Sequence, residues 1–196
     1  MNGSPVPALA ALLLVTAAQT GAALLLVSGL RHGRHRPELV HHLRRHRVVP
    51  DRAVYPLSRA VPVGSVAVGA AALGLPTLAA GLAPAAWLPV QRAVAGAQAL
   101  VYLVFLGYLV LLRVRAPGES CGCLGAAEGR AGAAIARAAG LAAVTLAAGL
   151  AARPVTSVAG WPSRYLLATA IGVLAGAFWA VHAAHRQPID TKGRLA

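Results

Sequence analysis

The chain has 196 residues, of which 58% are hydrophobic and only 12% charged. A water-soluble domain of this size carries about 25% charged residues, so much of this surface does not face water. The net charge of +13, from 18 Lys and Arg against 5 Asp and Glu, suits an anionic membrane surface or nucleic acid. The long apolar runs decide for the lipid bilayer and against nucleic acid.

Five windows are long and apolar enough to cross about 30 Å of hydrocarbon as helices. They cover roughly residues 7–30, 60–82, 93–112, 131–152 and 165–181. Helices satisfy their own backbone hydrogen bonds, which lipid cannot do for them. The expected fold is therefore an all-α, polytopic membrane bundle, with residues 1–196 forming a single integral membrane domain.

The first window contains no charge and lacks a basic leading segment. Its apolar run exceeds that of a secretory signal, so it is read as a retained span. The segment 31–59 follows, with eight arginines, five histidines and two acids. Pro37 and Glu38 suit a helix start. Leu39, Val40 and Leu43 share one face, while His42, Arg44, Arg45 and Arg47 fall mostly elsewhere. This predicts a short amphipathic helix lying on the membrane, with Arg44, Arg45 and Arg47 meeting lipid phosphates. His42 and His46 are spaced as a metal pair, but a solvated basic face is the plainer reading.

In the second window, Pro62 fits the first turn and Pro76 is expected to kink or end the helix. Pro84 and Pro89 should break the chain before the third window. The connection is then short, and the two helices pack antiparallel. Gln19 and Gln98 lie deep in their spans, where glutamines most often bond between helices. Gly172 and Gly176 form a GxxxG spacing in the fifth window, although glycine and alanine are so abundant here that chance accounts for one such pattern.

Five spans place segment 31–59, segment 113–130 and the tail 182–196 on one side. Counting Arg137 with the nearer loop, that side holds fifteen of the 18 basic residues, and the other holds Arg92, Arg153 and Arg164. The positive-inside rule puts the fifteen in the cytoplasm.

The only two cysteines, Cys121 and Cys123, flank Gly122 in the loop between the third and fourth windows. The pair admits three uses. It can cycle between dithiol and disulfide, since a disulfide closing so short a loop is strained and oxidising. Arg113, Arg115 and Arg130 could lower a thiolate pKa if near. It can supply two ligands to Zn²⁺ or Cu(I), with His182 or His185 completing the set. It can also be structural. The spans hold no ionisable group in their central turns, which disfavours an ion-coupled transporter. No nucleotide-binding motif, catalytic triad or carboxylate pair is present, and no cofactor is evident; whether a quinone takes part stays open.

At this loop, Cys121-Gly122-Cys123-Leu124-Gly125 resembles the Cys-x-Cys-Phe-Gly motif of the MauE family, grouped with DoxX-like redox-associated membrane proteins. Leu39 to Pro50, Ala60-Val61-Pro62, Gly69, Arg137 and Leu141 are similar to the family's weaker pattern. The resemblance covers roughly Pro7 to Leu150 and leaves the fifth span beyond a four-helix core. The sequence departs from the family at Leu124 for Phe, Ser65 for an acidic residue and Ala138 for Asn. The resemblance implies that Cys121 and Cys123 carry electron or disulfide transfer supporting maturation of a partner, as MauE does for the disulfide-rich, quinone-bearing subunit of methylamine dehydrogenase. It also implies a thioredoxin-like partner outside the cytoplasm, whereas charge places the cysteine loop inside. A non-catalytic assembly subunit and a metal-handling protein are the competing readings.

Overall fold

The computed structural model describes residues 5–115, 131–156 and 160–185. Among them are seven helices: α1 (Pro5–Arg34), α2 (Arg36–His46), α3 (Asp51–Leu82), α4 (Pro84–Arg115), α5 (Ala131–Leu150), α6 (Ala152–Thr156) and α7 (Trp161–His185). Five of these, α1, α3, α4, α5 and α7, are long and apolar enough to cross a membrane. The five-span bundle expected from hydropathy is the one observed.

The helices outrun the apolar windows. α3 begins at Asp51 rather than near Ala60 and absorbs the second half of the basic segment. The surface helix is thus only α2. Its start follows the sequence, with Pro37 in the first turn and Glu38 beside it. Arg47 ends it in the left-handed conformation, φ +50°, with its N–H on the Arg44 carbonyl.

Pro76 neither ends α3 nor shortens it, for the helix runs on to Leu82. The ring is fully buried, amid small neighbours such as Ala72, Ala79 and Ala80 on the same buried stripe. Proline is tolerated in a membrane helix where packed neighbours and hydroxyl side chains compensate for the lost backbone bond. The hydroxyl of Thr77 donates to the Leu73 carbonyl beside it. Likewise Pro84 and Pro89 do not hold α4 back. Pro84 is its first residue, where a missing N–H has no intrahelical partner, and Pro89 stands inside the helix, which runs on through it. Only Ala83 separates α3 from α4, so the expected short antiparallel connection holds.

α1 is the central helix and packs against α3, α5 and α7. Close approach depends on glycine. A Cβ on Gly69 of α3 would lie 2.8 Å from the Ala22 carbonyl of α1, and one on Gly172 of α7 would lie 2.7 Å from the Thr16 carbonyl. With no hydrophobic drive between helices in lipid, such small-residue contacts supply the packing. The GxxxG of α7 is therefore not idle composition: Gly172 and Gly176 both face α1.

Side-chain hydrogen bonds tie α1 to its neighbours. Gln98 Nε2 donates to the Ala18 carbonyl at 2.9 Å, and the Tyr102 hydroxyl to the Gly21 carbonyl at 2.7 Å. Gln19 Nε2 donates to the Tyr165 hydroxyl at 2.9 Å. Both deep glutamines thus bond between helices, as their positions predicted. Interhelical bonds in membranes contribute on average about 0.6 kcal/mol. Tyr102→Phe should accordingly lower the thermal midpoint in detergent by a small, measurable amount without changing the fold.

Two apolar clusters mark the ends of the bundle. Ala11, Ala80, Trp87, Val155 and Tyr165 pack at one end. Val48, Leu109, Leu112, Ala134 and Ala138 pack at the other. The second end carries α2, the end of α4 and the start of α5.

Candidate functional site

The chemistry-bearing segment leaves the bundle at this second end. α4 closes with Arg113 and Arg115, and α5 opens at Ala131. The two ends are neighbours, since a Cβ on Gly132 would lie 4.0 Å from an Arg113 guanidinium nitrogen. Arg115 is anchored by donating to the Val48 carbonyl at 3.3 Å. Cys121 and Cys123 themselves lie outside the described residues, as does Arg130. The two helix ends that carry their loop are brought side by side, with the guanidinium of Arg113 next to the start of α5.

α2 lies against α3 over the same end. Leu43 is buried and Leu39 and Val40 are half-buried, while Arg44, Arg45 and Arg47 are exposed. The amphipathic division read from the sequence is realised. Arg44 is also positioned: its Nη2 donates to the Tyr55 hydroxyl at 3.3 Å, and its guanidinium sits 5.2 Å from that ring's centre. Arg36 donates to the Ser58 hydroxyl at 3.3 Å, which in turn donates to the Tyr55 carbonyl. This chain of contacts holds α2 on the first two turns of α3.

The histidines do not behave as one solvated face. His46 is only 2% exposed, and its Nδ1 lies 2.6 Å from the Tyr108 hydroxyl of α4. His42 stands beside it, ring centres 5.9 Å apart. The reading of these residues as a uniformly solvated basic face is thus corrected for His46. It falls on the inner side of α2, one turn after His42, where the helix meets α4. Its spacing from Leu39 and Leu43 placed it on the apolar side, and that was the signal available in the sequence.

Beneath α2, between α3 and α4, lies a cavity of about 680 Å³. Its walls are almost wholly apolar, and its polar groups are His32, His42, His46, Tyr108 and Ser65. None of its described lining residues is Arg or Lys. Sequence reasoning missed this site, because it is built by α2, α3, α4 and the end of α1, whose contact no local pattern specifies.

The remaining candidates are dispersed. His182 stacks on Phe178, ring centres 6.2 Å apart, near the end of α7. Arg137 lies 4.5 Å over the Trp179 ring, joining the first turns of α5 to the last turns of α7.

Five apolar spanning helices under an exposed basic surface helix define a multi-pass membrane protein. Residues 8–153 match the family of the methylamine utilisation protein MauE, and the chain belongs to that family. The match takes in α1 to α5 and stops within α6, so α7 is an addition to the matched core. Comparison with curated proteins and with solved structures gave no match.

Proposed function

We propose that this protein is a membrane thiol–disulfide redox protein in which Cys121 and Cys123 oxidise a partner of the methylamine-utilisation type. The observation that carries the reading is the Cys-Gly-Cys pair, standing in the loop between α4 and α5 of a MauE-family chain. A thiolate of the partner attacks one sulfur of the Cys121–Cys123 disulfide and forms a mixed disulfide. The partner's second thiol then displaces it. The partner leaves oxidised, and two electrons and two protons remain on Cys121 and Cys123. Strain in so short a disulfide ring favours this direction. A thioredoxin-like protein offers the dithiol such an exchange needs.

The test is to isolate the protein with its thiols trapped and to measure its mass after alkylation. A reversible shift of two alkyl groups between oxidised and reduced samples is expected. A pair that never oxidises, or that carries a stoichiometric metal lost on removing either thiol, overturns the reading.

We further propose that Arg44, Arg45 and Arg47 bind anionic headgroups. Each basic residue near such a surface contributes about 1 kcal/mol. Changing all three to Glu should strip anionic phospholipid from the purified protein, read by mass spectrometry of retained lipid. If the three changes abolish partner maturation while both cysteine variants retain it, a docking role replaces the redox one.

A further inference from the structure

The cavity beneath α2 has the depth of one lipid leaflet. On α4 its lining runs from Leu100 to Leu111. Leu100 is the midpoint of the Ala85–Arg115 span, so the cavity begins at the middle of the bilayer. Eleven residue steps of helix measure about 16 Å, half of a hydrocarbon core about 30 Å thick. Leu100 and Val104 on this wall are 62% and 67% exposed. The wall therefore faces the acyl chains, and the cavity is a groove entered sideways from the lipid.

The walls take hydrocarbon, and the surface end takes charge. Most of the lining is leucine, valine, alanine and glycine, and two of its few polar groups, His46 and Tyr108, are engaged with each other at 2.6 Å. The mouth at the membrane surface is formed by Val48 and Val49, with Val48 packed on Leu109 and Leu112. Exposed Arg47 directly precedes them. Exposed Arg115, one turn beyond Leu111, donates to the Val48 carbonyl at 3.3 Å. That bond occupies only part of a guanidinium, which carries several N–H donors. Asp51 and Arg52 follow in the first turn of α3 and balance each other in charge. The mouth is therefore net positive, and guanidinium groups pair well with phosphate oxygens. Basic groups beside a cleft between spanning helices suit an anionic lipid head.

We propose that this groove seats one anionic phospholipid, an acyl chain lying along α3 and α4 and the phosphate at Arg47 and Arg115. For Arg47 alone this rests on the headgroup binding proposed above; the acyl-chain groove and Arg115 are independent of it. The chain contributes van der Waals packing, because leaving the surrounding lipid brings it no hydrophobic gain. Selection therefore comes from the head, where an anionic lipid meets two guanidinium groups and a zwitterionic one carries its own cation.

The experiment titrates the delipidated full chain in detergent with dioleoyl phosphatidylglycerol or dioleoyl phosphatidylcholine and counts bound lipid by native mass spectrometry. One tightly held phosphatidylglycerol per chain is expected, with an affinity at least tenfold above that of phosphatidylcholine. Gly64 lines the groove, and a Cβ there meets nothing within 4 Å. Gly64→Leu combined with Val104→Trp therefore fills the groove without forcing packed helices apart. This variant should keep its thermal midpoint and bind phosphatidylglycerol at least tenfold more weakly. Arg47→Gln combined with Arg115→Gln should bring the two lipids to equal affinity. Leu174→Trp, on the lipid-facing side of α7, should leave binding unchanged. Equal affinity of the unaltered protein for both lipids overturns the proposal, as does full binding in the groove-filling variant, or a second chain in place of the lipid. Lipid lost from Arg44→Glu with Arg45→Glu, but not from the groove-filling variant, upholds the headgroup surface and overturns the seat. Lipid lost from the groove-filling variant and from Arg115→Gln, but not from Arg44→Glu with Arg45→Glu, upholds the seat and overturns that surface.

Discussion

Cys121→Ser and Cys123→Ser should each abolish maturation of the partner, with activity falling to that of a strain lacking the protein. The expectation follows from the exchange chemistry. A single cysteine cannot form the disulfide that the partner's thiolate attacks, so the exchange has no oxidant from which to begin. No other cysteine exists in the chain to substitute. The loss should be equal in the two variants and in the double variant, since the two sulfurs act as one unit. Full activity in both single variants would remove the redox function.

The same residues report which side of the membrane the loop faces. A membrane-impermeant maleimide applied to intact cells should label nothing, and labelling should appear after permeabilisation, if the charge asymmetry sets orientation. Labelling of intact cells that appears only after reduction would place an outward-facing disulfide in the loop. It would also bring the whole basic end, with α2 and the groove mouth, to the outer surface. The helix directions make this an all-or-nothing result, because Arg113, Arg115, Arg137 and α2 share one end of the bundle.

Gly172→Val should be the most damaging single change within the spans. Its new Cβ would lie 2.7 Å from the Thr16 carbonyl and 2.8 Å from the Gln19 Cβ. Backbone atoms at that distance cannot yield as a flexible side chain can. Forcing extra volume into a packed contact costs about 1–3 kcal/mol, and here α7 must move off α1 to relieve it. The hydrogen bond from Gln19 to Tyr165 crosses the same pair of helices, so it would be strained at the same time. A lower thermal midpoint in detergent is expected. Gly96→Ala serves as the control, since nothing lies within 4 Å of its Cβ position. An unchanged midpoint in Gly172→Val would show that α7 does not rely on this contact.

Much of the architecture is legible in the amino-acid sequence. Spanning helices are readable because each must bury about 20 residues in hydrocarbon, and that demand is written locally as an apolar run. The placement of Gln19 and Gln98 between helices is legible for the same reason: lipid offers such a group no partner, so another helix must. The limits of α3 and α4 are less so. Proline reads as a stop in an isolated helix, yet Pro76 sits inside a buried stripe where packing outweighs one lost backbone bond. The basic residues of 51–59 read as surface and are in fact the first turns of α3, since arginine side chains near a helix end can reach the interface.

By itself, the sequence determined the class of protein, the number of spans, the basic end and the cysteine pair, because hydropathy, charge and residue identity are local properties. Only the tertiary structure decided that Gly172 and Gly176 lie on α1, that His46 turns inward to Tyr108, and that α2, α3 and α4 enclose a groove. Those features depend on which faces of distant helices meet. Helix contacts in a bilayer are set by fit between surfaces rather than by hydrophobicity, and fit exists only once both partners are in place.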